Sequence, residues 1–246
     1  MPACLVQIYE IQTPQEAEAV VALGVDRVGS VLPSEADRGQ AELRDTIATV
    51  RACGARSSLI PLFRDEAAVA RALDYYRPDV VHFCDALSGE GRIAELIEFQ
   101  FRVKERFPEI GVMRSIPIAP GGAHRLPSLA WARELEPATD VFLTDTLLVE
   151  DGAEQPVEGF VGITGRTCDW ALAGDLVRQS RIPVILAGGI SPLNAAEAVA
   201  RVRPAGVDSC TLTNAVDAAG RPIRFRKDLL KVKTLVEAVR RAEITS

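Results

Sequence analysis

Three features of this 246-residue sequence predict an α/β fold closed as a single (β/α)8 TIM barrel. Strand-like and helical segments alternate eight times along the chain. The strand-like runs are short and mostly apolar, as parallel strands covered on both faces must be. Eight such units occupy about 250 residues, the usual span of that barrel. No linker-like break in composition divides the chain, so residues 1–246 read as one domain. The main rival is an open doubly wound sheet, which carries its glycine-rich phosphate loop after the first strand. Here Tyr9-Glu10-Ile11-Gln12 contains no glycine.

Leu5 to Tyr9 is the first strand. Thr13-Pro14-Gln15-Glu16 is a capping box with proline at the first helical position, and the helix stops at Gly24. Arg27 to Leu32 is the second strand. A polar loop, Pro33 to Gly39, precedes a helix from Glu42 to Ala52. Ser58 to Phe63 is the third strand, and its helix from Asp65 to Tyr76 is closed by Arg77-Pro78. Val80 to Cys84 is the fourth strand, followed by a long helix from Arg92 to Phe107 with apolar residues on one face. Gly111 to Ile116 is the fifth strand. An irregular Pro- and Gly-rich stretch, Pro117 to Pro127, leads to a short helix at Ser128 to Leu135. Asp140 to Asp145 is the sixth strand. Thr146 to Thr167 is a long loop in which Val157 to Ile163 suits a short extended piece. A helix from Asp169 to Gln179, a seventh strand from Ile182 to Ala187 and a helix from Pro192 to Val202 follow. Gly206 to Thr211 is the eighth strand, and the chain closes with a helix from Lys227 to Arg241.

Composition excludes several classes of function. Apolar residues are 48% and charged residues 25%, as in a soluble enzyme. The net charge is −6 with scattered Lys and Arg, so no basic surface for nucleic acid is expected. No apolar run has membrane-spanning length and no signal peptide is evident, which favours the cytoplasm. The five cysteines are far apart and none pairs as C-x-x-C. With two histidines besides, neither a disulfide framework nor a metal site is expected. No cofactor is called for.

Ile185 to Asn194, I-L-A-G-G-I-S-P-L-N, is the most informative turn. Gly188 and Gly189 lack a Cβ and let backbone approach a ligand. Ser191 suits an N-cap and Pro192 a first helical position. Alone, this is an ordinary strand–helix connection. After the seventh strand of a barrel, it stands where such folds often bind phosphate.

Specific motifs then accumulate. Gly162 to Trp170 reads G-I-T-G-R-T-C-D-W, just before L-A-G-G-I-S-P-L-N. Together these resemble the phosphoribosylanthranilate isomerase family, whose patterns are G-G-T-G-x-T-F-D-W and L-A-G-G-L-x-P-x-N. Val6 to Ala17 is similar to the family's V-K-I-C-G-I-T-R-P-E-D-A, and Asp26 to Arg38 to its D-A-I-G-F-V-F-Y-P-K-S-P-R. Asp140 to Asp145 stands at its L-L-D strand end, and Lys227-Asp228 at a K-D pair. The resemblance implies a barrel of the ribulose-phosphate-binding type and an enzyme of tryptophan biosynthesis. That enzyme is an intramolecular oxidoreductase, converting an aminoaldose to an aminoketose by an Amadori rearrangement. It further implies Asp145 as general acid, Arg38 as partner of the anthranilate carboxylate, and Gly165, Gly188 and Gly189 in the phosphate loops. Thr164, Thr167 and Thr211 add hydroxyls there. The expected partner is a small phosphorylated substrate, bound by a monomer or homodimer.

The pattern breaks where the family has its basic cysteine. Tyr9 stands there, with Glu10 for the adjoining glycine and Gln7 for the preceding lysine. At neutral pH a phenol, near pKa 10, is ionised less than a thiol near 8.5 and so is the poorer base there. Cys4 lies at the wrong end of the strand. Glu10 and Cys84 could each serve as the base instead, with His82 two residues before Cys84 as an aid to its ionisation or a substrate contact. Core filling is the plainer role for both His82 and Cys84. Leu212 replaces a glycine near the second phosphate loop. Three functions therefore stay open: a divergent isomerase, a barrel enzyme for another small phosphorylated or carboxylated substrate, and a non-catalytic binding barrel.

Overall fold

The computed structural model describes residues 3–37, 39–89, 91–121, 126–149 and 155–244. Eight parallel strands close in sequence order: β1 (Leu5–Ile8), β2 (Arg27–Leu32), β3 (Arg56–Pro61), β4 (Val80–Phe83), β5 (Gly111–Ile118), β6 (Val141–Thr146), β7 (Val184–Leu186) and β8 (Gly206–Ser209). The seam pairs Leu5 with Gly206 and Ile8 with Ser209. A Cβ on Gly206 would stand 2.7 Å from the Leu5 carbonyl oxygen, so closure at this point needs glycine.

Among the described residues eight α-helices cover the strands: α1 (Pro14–Ala22), α2 (Ala41–Ala52), α3 (Glu66–Tyr76), α4 (Arg92–Arg106), α5 (Ser128–Leu135), α6 (Trp170–Gln179), α7 (Ala195–Val202) and α8 (Leu229–Ile244). Thr13 caps α1 by accepting from the Glu16 N–H, Asp65 caps α3 and Asp169 caps α6. The alternation of β1 divides the interior in two. Val6 and Ile8 pack outward with α1, α7 and α8 residues such as Val20, Ala198 and Leu235. Leu5 and Tyr9 instead join Val80, Met113, Leu143 and Ile185 inside the barrel.

Several expected boundaries moved. β5 runs on to Ile118, because its pairing with β6 continues through Ile118↔Thr146. Pro192 to Asn194 form a turn, and α7 begins only at Ala195. Ser191 caps that turn instead, its hydroxyl accepting from the Leu193 N–H at 3.3 Å. Val157 to Ile163 is no strand; it makes a single antiparallel bridge, Phe160 to Asp85. An antiparallel hairpin not foreseen, β9 (Asn214–Val216) with β10 (Pro222–Lys227), fills the connection between β8 and α8. No helix among the described residues is long and apolar enough to cross a membrane.

Candidate active site

The C-terminal ends of the strands surround a cleft with two joined lobes. The larger, about 550 Å³ including space open to solvent, is walled mainly by apolar side chains, among them Val31, Ile60, Leu62, Leu143, Val157 and Phe160. The smaller, about 330 Å³, is bounded by Thr164, Gly165, Gly188, Gly189, Thr211 and Leu212. Asp145, Ile163, Asp208 and Cys210 line both lobes.

Asp145 is the penultimate residue of β6. Its Oδ1 accepts the Thr146 N–H at 2.7 Å. Burial raises its pKa to about 7, against the lowering effect of that hydrogen bond. At neutral pH the group is therefore poised between acid and carboxylate. Gly162 fits against it: at φ 106°, a Cβ there would lie 2.1 Å from Asp145 Oδ2. The first glycine of G-I-T-G thus lets the β6–α6 loop close onto the acid. The next residue, Ile163, holds φ 62°, an uncommon conformation for a β-branched side chain, at the point where the lobes meet.

Gly188 and Gly189 border the smaller lobe, but their missing Cβ atoms face protein. A Cβ on Gly188 would meet Thr146 Oγ1 at 2.5 Å, and one on Gly189 the Thr167 nitrogen at 2.5 Å. Both glycines serve first to seat the β6–α6 loop against the end of β7. The Thr146 hydroxyl donates to the Arg166 carbonyl at 2.6 Å and fixes the same loop. Thr164 Oγ1 accepts the Arg166 N–H at 3.2 Å. Gly165 lies against Thr211, whose Cγ2 would be 3.4 Å from an added Cβ. Leu212 lines this lobe, as its place in the sequence implied. Among the described residues lining it there is no Lys or Arg.

The Tyr9 phenol is held on both sides. Its hydroxyl lies 2.6 Å from Ser58 Oγ and 2.8 Å from His82 Nδ1, and His82 Nε2 lies 2.8 Å from Ser115 Oγ. These contacts link β1 with β3, β4 and β5 across the barrel interior. Burial, aided by the nearby Asp208 carboxylate, pushes the phenol well above its ordinary value. Burial beside Arg114 and Arg27 pushes His82 down to about 3, so the ring is neutral. The aromatic ring of Tyr9 fits because residue 29 on the next strand is glycine; a Cβ there would fall 2.1 Å from Tyr9 Cδ1. Tyr9 and His82 form a structural bridge under the larger lobe, and the bridge disfavours Tyr9 as a base.

Cys84 and Glu10 are no better suited to that task. Burial raises the Cys84 thiol, and Asp85 and Asp145 raise it further, while neutral His82 supplies no compensating charge. Glu10 leaves the strand at φ 66°, and so lines the same cleft as Tyr9 and does not face away from it. It is 1% exposed and paired with Arg224 at 2.6 Å. Asn214 Nδ2 donates to it at 3.2 Å. Burial would raise this carboxyl, but Arg224, Lys227 and the hydrogen bonds outweigh it and hold the pKa low. Glu10 is thereby the anchor of the β9–β10 hairpin. Arg38 lies outside the described residues.

One carboxyl was not foreseen. Asp208, in β8, is 7% exposed and accepts from Gln7 Nε2 at 2.9 Å. Gln7 Oε1 in turn receives Arg27 Nη1 at 3.3 Å. Burial raises Asp208 to about 7; Asp145 adds to the rise and Gln7 opposes it. The available signal was an acid inside a short strand of a parallel barrel, G-V-D-S, where a carboxylate is seldom buried without purpose.

With this geometry in place, comparison with known proteins is decisive. The N-(5'-phosphoribosyl)anthranilate isomerase of Methanocella arvoryzae is 30% identical over 240 residues, 96% of this chain and 97% of that protein. The chain belongs to the phosphoribosylanthranilate isomerase family. A second member, from Haloarcula marismortui, is 30% identical over 234 residues, 90% of this chain and 95% of that protein. The family model described as N-(5'phosphoribosyl)anthranilate (PRA) isomerase matches residues 129–238. That segment carries Asp145 and both glycine loops. The isomerase of Thermotoga maritima shares the fold, with a TM-score of 0.70 at 20% identity, covering 96% of this chain and 98% of that one. A phosphoribosyl anthranilate isomerase in complex with reduced 1-(o-carboxyphenylamino)-1-deoxyribulose 5-phosphate gives a TM-score of 0.68 at 18% identity, with coverage of 96% and 98%.

Proposed function

We propose that this protein isomerises N-(5'-phosphoribosyl)anthranilate, the reaction for which its relatives are named. The observation that carries this reading is the partition of the cleft. An apolar lobe suits an aromatic ring, a lobe edged by glycine turns and threonines suits a phosphate, and ionisable carboxyls stand where the lobes meet. A ribose bridging the two groups would span that junction. Asp145, raised to about 7 by burial, retains its proton on a substantial fraction of molecules at neutral pH and suits protonation of the ribose ring oxygen. Ring opening then leaves an imine whose C2 proton a base removes. Only protons move, so the chemistry needs no redox cofactor. Gly165, Gly188 and Gly189 border the phosphate lobe, with Thr164 and Thr211 beside them. Arg38 keeps its proposed role toward the anthranilate carboxylate.

A change of substrate is the second reading. It is favoured by Leu212 and by the absence of Lys and Arg among the described residues lining the phosphate lobe. One experiment separates the two. Purified protein mixed with freshly made phosphoribosylanthranilate should quench its fluorescence, and Asp145→Asn should slow this by at least about 10²-fold. Binding of other sugar phosphates, with no turnover of this substrate, would favour the second reading.

A further inference from the structure

Two departures from the family pattern lie two residues apart, Gln7 in β1 and Tyr9 just past its end, and both bear on one carboxylate. Tyr9 takes the place of the family's basic cysteine, and its hydroxyl is tied to Ser58 and His82. Gln7 takes the place of the family's lysine, and its amide donates to Asp208 Oδ1 at 2.9 Å. Lysine on that contact would pair with the carboxylate and weaken it as a base; a neutral amide orients it without neutralising it. Arg27 Nη1, on the Gln7 carbonyl oxygen at 3.3 Å, fixes which way the amide faces. Gln7 gives the one hydrogen bond that the Asp208 carboxylate accepts among the described residues, and the carboxylate lines both lobes together with Asp145.

We propose that Asp208 is the general base of this protein, removing the substrate's C2 proton in place of the missing thiol, with Gln7 as its positioning residue. This rests on the isomerase reading above. After Asp145 has protonated the ring oxygen and the ring has opened to the protonated imine, the C2–H bond breaks toward the Asp208 carboxylate. Its electron pair becomes the C1=C2 bond, and the pair of the C1=N bond moves to nitrogen, giving a neutral enaminol. The enaminol loses its O–H proton and gains one at C1 to yield the ketone, so no reagent is consumed. Burial, which raises Asp208 to about 7, brings its basicity close to that of the task. A single β6–β8 pair of carboxyls then supplies both the acid and the base.

The test compares the full-length wild type, Asp208→Asn and Gln7→Lys with freshly made phosphoribosylanthranilate, protiated or deuterated at C2. Asp208→Asn should lower kcat by about 10²- to 10⁴-fold while circular dichroism and thermal unfolding show an intact fold. Gln7→Lys should lower kcat less and move the acidic limb of the kcat/KM profile to lower pH by at least about one unit, as ion pairing dictates. A merely structural Gln7 would leave that limb in place. A wild type that turns over, with Asp208→Asn within tenfold of it, overturns the base assignment and leaves the isomerase reading standing. An unmoved acidic limb in a folded, active Gln7→Lys protein also overturns the assignment. A wild type without turnover overturns the isomerase reading, and the assignment falls with it.

Discussion

Replacing Tyr9 with phenylalanine removes one oxygen and tests whether that oxygen is structural or catalytic. Its hydroxyl bridges Ser58 Oγ at 2.6 Å and His82 Nδ1 at 2.8 Å inside the barrel. The variant keeps the ring that packs against Gly29 but strands two buried polar groups. An orphaned buried partner costs roughly 1–3 kcal/mol, so the pair should cost about 3 kcal/mol once Ser58 finds some compensation. For a domain of this size each kcal/mol lowers Tm by roughly 2–4 °C, giving a fall of about 6–12 °C. The assay is thermal and urea unfolding alongside steady-state turnover of phosphoribosylanthranilate. A structural bridge predicts a lower Tm with kcat within about tenfold, as catalytic acid–base groups are typically worth 10²–10⁴-fold. An unchanged Tm with kcat reduced by more than about 10²-fold would refute the reasoning and make the phenol itself the base.

Three further outcomes follow from the same contacts. Asp208 has a folded pKa of about 7 against an ordinary value of 3.8, so the folded state holds the extra proton between those values. Stability from this group is full below about pH 4 and is lost as pH rises toward 7. Asp208→Asn should therefore match the wild type at pH 4 and exceed it at pH 8 by at most about 4 kcal/mol in urea unfolding; equal stabilities at pH 8 would contradict the assigned burial cost. Gly162→Ala places a Cβ 2.1 Å from Asp145 Oδ2 at φ 106°. It should cost about 1–3 kcal/mol in backbone strain and lower turnover by roughly 10²-fold through the displaced acid, measured by unfolding and kinetics together. Arg224→Met removes the guanidinium from Glu10, which is 1% exposed. The loss should approach about 3 kcal/mol in chemical denaturation, since Asn214 still donates to the carboxylate.

Much of this was legible along the chain. Runs of apolar residues with the correct period mark eight strands and eight helices, because burial of one face is a local pattern. Thr13 and Asp65 mark helix starts for the same reason: a cap needs only a side-chain oxygen and nearby N–H groups. The hairpin between β8 and α8 was missed because β9 is only three residues long and β10 is strongly basic, with Arg224, Arg226 and Lys227, and is held by a contact with Glu10 more than 200 residues away.

The sequence by itself determined the barrel, the family, and Asp145 at the end of β6. Each rests on a pattern of neighbours in the chain. Only the tertiary structure decided what the remaining polar residues do, since their surroundings are assembled from strands distant in sequence. Tyr9 became a bridge because Ser58 and His82 converge on its hydroxyl. Gly188 and Gly189 proved to be loop seats because Thr146 and Thr167 arrive from the preceding unit. Asp208 acquired a raised pKa because closure of β8 onto β1 buries it beside neutral Gln7. Desolvation and hydrogen bonding act through space, and closing the barrel is what brings these groups within range.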